Sequence, residues 1–330
     1  MTIKDIIKFR LHNQQITQHV FDEPGDLVKG FGAMQAQDYL NSLWAIGLRL
    51  KNTTENDIEK AIADKTIVRT WPMRRTLHFV SSGDVHWLLK LLTPRIISRS
   101  TTLYKQLGLD KNLFSKCKKL FVKALQGENQ LTRNQLYDVL EKAKITTGAQ
   151  RGLHILCHLA QEGLICFAAR NGKQQTFALL DEWIPATKTL THDEALAELA
   201  RRYFASHAPA TIHDFAWWSG LTVTEAKKSV EMINFYLQKE MIEGKSYYMA
   251  ADMPVMKTKP GTVYLLPNFD EYLVAYKDRN AALDTKYAKQ VIGAAGSNGI
   301  FSAVIIADGK IAGTWKRTLE KDNVTIDINP

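Results

Sequence analysis

The chain has 330 residues, 45 % of them hydrophobic, a formal net charge of +9 and three cysteines, which leaves room for two or three cored domains. Charges interrupt every apolar run well short of the roughly 18–20 residues of a membrane span, and the amino terminus, MTIKDIIKFRLHN, lacks the uncharged core of a secretory signal. Cys117, Cys157 and Cys166 show no CxxC spacing, so a zinc-ribbon framework is excluded and a reducing cytoplasm is expected.

Residues 4–20 read as a short helix, broken by Glu23-Pro24-Gly25-Asp26. Asp26 can cap a second helix that carries Leu27, Val28, Phe31 and Met34, with Gln35 and Gln37 at or just past its end. A further helix runs from Asn41 to Leu48. Thr54 and Asp57 then form a capping signal for a helix with Ile58, Ala61 and Ile62 in register. The period changes at Ile67-Val68, and the β-rich run is interrupted by Pro72 and resumed at Thr76–Val80. Helices followed by a two-stranded ribbon make a winged-helix pattern. Between Lys65 and Lys105 there are eight basic residues, Arg69, Arg74 and Arg75 among them, against the single acid Asp84.

The pattern returns twice. Thr132 and Gln135 signal a capping box, Arg151 to Glu162 reads as a helix, and two strands flank Arg170-Asn171-Gly172-Lys173, a hairpin signal with basic residues at its tip. Thr191 and Glu194 open a helix with Leu196, Leu199 and Tyr203 in register, Thr222 and Glu225 open another, and a short wing follows at Tyr247–Met249. After Pro254 strand signals dominate: Val263–Leu266, Leu273–Tyr276, Phe301–Ile306 and Ile311–Trp315, with turns at Gly299 and Asp308-Gly309. The expected fold class is α+β: tandem winged-helix modules over 1–125, 126–185 and 186–250, and a β-rich domain over 251–330.

Residues 1–180 carry 26 Lys and Arg against 15 Asp and Glu, whereas residues 181–330 carry 17 against 19. Such an imbalance points to a polyanion, with a generically basic protein as the plainer alternative. The basic window coincides with a strand pair and its flanking helix, which suits phosphate contacts. Arg69, Arg74, Arg75, Arg151, Arg170 and Lys173 are the candidate DNA-binding residues.

The chain contains no Walker A loop, HExxH, GxSxG or GxGxxG. His154, Cys157 and His158 share a helix at metal-compatible spacing, but no second ligand cluster accompanies them, and core packing or phosphate contact is the simpler account. His78 alternates with apolar neighbours as a strand histidine would, and Trp217-Trp218 reads as core. Asp270 and Glu271 fall on opposite sides of a strand or at its start, so they do not form one acid–base pair. Gln35 and Gln37 place two primary amides in an apolar segment. They either satisfy nearby backbone or line a pocket for a water or a polar ligand.

Five stretches carry a resemblance: MQAQDYLNSLWAIGLRL, IVRTWPMRRTLHFVSSGDVHWLL, RGLHILCHLAQEGLI, LLPNFDEYLVAYKDR and IADGKIAGTWKR. Spread in order over nearly the whole chain, they resemble the AlkZ family of winged-helix DNA glycosylases. The resemblance implies a concave basic surface for duplex DNA and excision of alkylated purines, typically cationic N7-alkylguanine adducts and in some members interstrand crosslinks. It also implies a glutamine–aliphatic–glutamine catalytic element, here Gln35-Ala36-Gln37. On chemical grounds the adjacent carboxylate of Asp38 is a further candidate base, ranked below the two glutamines. Ala36 is smaller than the usual central residue, and a further segment is expected beyond Pro330. The reading is therefore a cytoplasmic, monomeric, monofunctional glycosylase that uses no cofactor and no metal, with no membrane partner. The rival is a non-catalytic winged-helix regulator.

Overall fold

Several helix starts are written locally in the sequence. Thr132 with Gln135, Thr211 with Asp214, and Thr222 with Glu225 all form reciprocal capping boxes, as does Thr2 with Asp5. Thr191 and Glu194 exchange the same pair of bonds. The computed structural model describes residues 1–186, 189–251, 261–293, 301–321 and 323–330. The turn expected at Gly299 and the boundary at Pro254 lie outside them. Helices and strands are both abundant, and the chain divides into two compact units, one of residues 1–55 with 196–330 and one of residues 56–195.

The first segment holds α1 (Ile3–Asn13), α2 (Pro24–Phe31), the two-residue strand β1 (Met34–Gln35) and α3 (Tyr39–Gly47). The middle holds α4 (Glu55–Ala63), β2 (Ile67–Met73), β3 (Thr76–Ser81), α5 (Val85–Arg99), α6 (Thr101–Gln106) and α7 (Lys111–Leu125). It continues with β4 (Leu131–Thr132), α8 (Arg133–Lys142), α9 (Arg151–Gln161), β5 (Ile165–Phe167), β6 (Thr176–Leu179) and α10 (Leu180–Trp183). The last segment opens with α11 (His192–His207), α12 (Ile212–Ser219), α13 (Val223–Met232), β7 (Leu237–Ile242) and β8 (Lys245–Ala250). It ends with β9 (Val263–Leu266), α14 (Glu271–Val274), α15 (Thr285–Ile292), β10 (Val304–Ala307), β11 (Lys310–Leu319) and β12 (Val324–Asn329).

Within residues 56–195 the strands lie in the order β3-β2-β5-β6-β4. Pro72 does not interrupt β2. Thr70 pairs with His78 but Met73 pairs with Thr76, so one extra residue bulges on β2, and a bulge is where a strand tolerates proline. Helix α7 was not anticipated, although Phe114, Cys117, Phe121 and Leu125 bury one face at helical spacing. Gly152 in α9 is dictated by packing, since a Cβ there would stand 2.6 Å from the Tyr137 ring.

Residues 1–55 and 196–330 share a core in which Ile6, Ile7 and Leu11 of α1 meet Leu266, Tyr272, Leu273, Val304 and Ile306. A four-stranded antiparallel sheet runs β12-β11-β10-β9, and β7 and β8 form a separate hairpin. The strand expected at Leu273–Tyr276 is instead helix α14 and its exit. Asp270 caps it through Tyr272 N, and residues 271–276 are all buried, so the one-face-in, one-face-out alternation of a strand is lost. The Asp308-Gly309 turn joins β10 to β11 as expected, and it is anchored on both sides. Tyr272 donates its hydroxyl to Gly309 O at 2.7 Å, and Asp308 Oδ1 accepts from Gly261 N.

Candidate active site

The segment around Gln35 is shaped by the end of α2. Gly32 caps that helix with φ at +80°, a conformation that costs glycine little, and the chain turns there into β1. The helix therefore ends before the glutamines, which lets their backbone take partners other than helical carbonyls. Gln35 and Ala36 are buried, Gln37 is exposed at the following bend, and Asp38 caps α3. The two amides are not equivalent.

Gln35 is 8 % exposed, and its Oε1 is shut from solvent without accepting a hydrogen bond from the described residues. Its backbone N–H donates to Glu271 Oε1 at 2.6 Å. Asp38 is committed elsewhere. Its Oδ1 accepts from Asn41 N at 3.2 Å and its Oδ2 from Asn41 Nδ2 at 2.8 Å, the geometry of an N-cap.

Glu271, 1 % exposed, also accepts from Trp218 Nε1 at 3.1 Å through its other oxygen, and His207 Nε2 stands 3.4 Å from that oxygen. Burial lowers the pKa of His207, favouring the neutral ring, while the nearby Glu271 carboxylate works the other way. The ring stacks on Tyr203 at 4.8 Å and meets Phe31 edge-on at 5.4 Å. The neighbouring carboxylate turns to a different partner: Asp270 receives both terminal nitrogens of the fully buried Arg49, each at 2.8 Å. Arg49 also reaches Gln14 Oε1 at 3.1 Å, Gln14 donates to Tyr276 OH at 2.9 Å, and Tyr276 OH donates to His207 O at 2.8 Å. Asp270 and Glu271 are thus not an acid–base pair; each ties α14 to a different part of the unit. Sequence reasoning weighed Glu271 only as one half of an acid–base pair with Asp270 and gave it no role at the site.

The expected DNA-binding residues divide by what their side chains already do. At the β2–β3 turn Arg74 and Arg75 take φ of +51° and +62°; Arg75 is exposed, and Arg74 is half-buried with Nη2 3.4 Å from Nε2 of the buried His78. Lys173 is exposed in the Asn171–Gln174 turn, where the two loop residues are Gly172 and Lys173 rather than the Asn-Gly pair itself. Arg69 is 6 % exposed, its guanidinium 4.8 Å over the Phe167 ring. Arg151 donates to the carbonyls of Thr146 and Leu107, and Arg170 is ion-paired with Glu59 at 2.5 Å. These last three guanidiniums have fold-holding partners.

One other expectation changes. Trp218 is fully buried, but Trp217 is 44 % exposed, with the Arg279 guanidinium 5.4 Å from its ring. His158 stacks on Phe114 at 3.7 Å, and burial raises the Cys157 thiol to about 12, away from the thiolate a metal needs. Among the described residues no group of three or more His, Cys, Asp or Glu could hold a metal ion. No described helix is long and apolar enough to cross a membrane. A cleft of about 770 Å³ lined by Lys227, Lys245, Lys277 and Arg279 does not include Gln35.

Comparison with known proteins places these features in a family. Residues 28–330 match the model of the DNA glycosylase AlkZ-like family. Over 326 residues the chain is 23 % identical to the interstrand DNA cross-link repair glycosylase of Streptomyces sahachiroi, covering 95 % of this chain and 87 % of that protein. The solved structure of Streptomyces sahachiroi DNA glycosylase AlkZ shares the fold, with a TM-score of 0.82 at 20 % identity over 100 % of this chain and 91 % of that one. The chain belongs to the DNA glycosylase AlkZ-like family.

Proposed function

We propose that the chain is a monofunctional, monomeric DNA glycosylase that hydrolyses the N-glycosidic bond of cationic N7-alkylated purines in duplex DNA and leaves an abasic site. The name of the Streptomyces relative, an interstrand cross-link repair glycosylase, supports extending the substrate class to crosslinked purines. The helix–helix–hairpin modules, with boundaries at 1–125, 126–185 and 186–250 and a β-rich part over 251–330, are read as tandem winged helices that dock on the duplex.

The observation that carries the reading is the state of Gln35: an amide oxygen inside the protein, unspent on any of the described residues, on a backbone anchored to Glu271. An N7-alkylguanine is already a cationic leaving group, so its departure needs little acid help. Positive charge grows on the sugar. An amide carbonyl is too weak a base to take a proton from water near neutral pH, yet it can orient a water under the anomeric carbon and face the developing oxocarbenium ion. Positioning and electrostatics are then the whole contribution, worth on the order of 10²–10³ in rate for one such contact. Gln37, exposed at the bend, meets the substrate from the solvent side. Asp38 ranks last because its carboxylate caps α3.

Arg75 and Lys173, exposed at two hairpin tips, and Arg74 beside them are the phosphate contacts of this reading. A left-handed conformation costs a non-glycine residue roughly 1–2 kcal/mol, so two arginines at a turn that favours Asn-Gly are retained for what they touch. The test is incubation with duplex DNA carrying N7-methylguanine, followed by chromatography for the free base. Release is expected. Specific binding with no release from several cationic adducts would leave the non-catalytic regulator instead.

A further inference from the structure

Glu271 comes from 236 positions away to meet the backbone of Gln35. A carboxylate buried to 1 % exposure is costly unless its oxygens find donors. Here each oxygen has one: Oε1 takes Gln35 N–H at 2.6 Å, and Oε2 takes Trp218 Nε1–H at 3.1 Å. An amide in its place could accept only one of the two and would turn its own NH₂ against the other. An apolar side chain could accept neither. The acid is therefore required as a double acceptor.

The bond reaches Gln35 where the chain needs it. β1 is two residues long, between the left-handed Gly32 and the exposed Gln37. The orientation of the Gln35 carboxamide depends on the φ and ψ of its own backbone. A charge-assisted bond on that residue's N–H fixes them more firmly than a neutral one. Trp218 holds Glu271 in turn, with His207 Nε2 3.4 Å from the same oxygen. Trp218 is fully buried, and Ser206 Oγ lies 2.8 Å from His207 Nδ1.

We infer that Glu271 is the positioning residue of the site: it locks the Met34–Gln35 backbone so that the Gln35 amide oxygen is held where the reacting sugar and its water must lie. This rests on the glycosylase reading with Gln35 in the site. It places one determinant of excision on a segment remote in sequence from the glutamines, and it makes Glu271 act through Gln35 rather than on substrate.

A mutant cycle tests it. Single-turnover excision of N7-methylguanine is measured for the full-length wild type, Glu271→Met, Gln35→Ala and the double variant. Glu271→Met is expected to lower kcat 10- to 100-fold with KM within about threefold, and to cost less than about twofold further in the Gln35→Ala background. An equal loss in both backgrounds, or a loss confined to KM, overturns the inference. Glu271→Gln combined with Trp218→Phe removes the donor that an amide cannot accept while keeping an acceptor for Gln35. It should recover activity to within about fivefold of wild type, and failure to exceed Glu271→Met counts against the lock. Amide hydrogen exchange supplies a readout independent of turnover. A peptide spanning residues 33–36 should be protected in wild type and exchange at least tenfold faster in Glu271→Met or Glu271→Gln. Rapid exchange in wild type would mean there is no lock. Wild type that is protected but releases no base would sink the glycosylase reading and leave the lock standing.

Discussion

The backbone of Gln35 donates to Glu271 at 2.6 Å, joining a two-residue strand near the amino terminus to a four-residue helix near the carboxyl terminus. Neither element is stable alone, since a helix this short cannot repay its nucleation and a strand this short buries little. Each is held by the other and by the core they share.

Gln35 should show activity and stability pulling in opposite directions. Its buried Oε1 accepts nothing from the described protein groups, and an unmet buried acceptor costs about 1–3 kcal/mol. Gln35→Met is expected to leave stability unchanged or raise it by about 1 kcal/mol in urea denaturation while lowering kcat by roughly 10²–10³. A clear loss of stability would show that the carbonyl has a structural duty.

The Arg49–Asp270 pair is the opposite case. Both side chains are fully buried and bidentate. Removing one partner strands the other charge, so Arg49→Met should cost about 3–5 kcal/mol, read as a lower urea midpoint, with Asp270→Asn somewhat milder because it still caps α14. Replacing both together should recover part of the loss, and strict additivity of the two would contradict the pairing.

Salt dependence separates the exposed cations from the engaged ones. Arg75→Ala and Lys173→Ala should each reduce the slope of log K against log salt by about 1, whereas Arg170→Ala, whose guanidinium already pairs with Glu59, should change it little. Fluorescence anisotropy on a duplex at four salt concentrations is sufficient. A full unit lost with Arg170 would reverse the assignment.

Acid should unfold the unit of residues 1–55 and 196–330 partly through Glu198. Burial alone would raise this carboxyl, but hydrogen bonds and charge from Arg201 and Arg202 outweigh it and hold the pKa at about 2 against an ordinary 4.5. A depressed folded pKa gives stability that is complete above the unfolded value and lost as pH falls from about 4.5 to about 2. Glu198→Gln is expected to cost about 1–2 kcal/mol at pH 7, after allowance for partial solvent screening, and to flatten the acid limb of stability in that window. An unchanged acid limb would remove Glu198 from the account.

Much of the local structure was legible in the sequence. The capping boxes at Thr132, Thr191 and Thr222, the turn at Asp308-Gly309 and the break between α2 and the glutamines depend on residues a few positions apart, and local sterics and hydrogen bonding decide them. Where burial overrode pattern, sequence reading failed: Pro72 sits in a bulged strand, Leu273 lies in a buried helix, and Trp217 faces solvent beside buried Trp218. Sequence also singled out Gln35 and Gln37 without distinguishing them. Only the tertiary structure buried one and exposed the other, spent Asp38 on a helix cap, paired Arg170 inward, and brought Glu271 to the Gln35 backbone. The physical reason is range. Caps and turns are settled by neighbours within about four residues, whereas the partner of a buried donor is whatever acceptor the packed core delivers, from any distance along the chain.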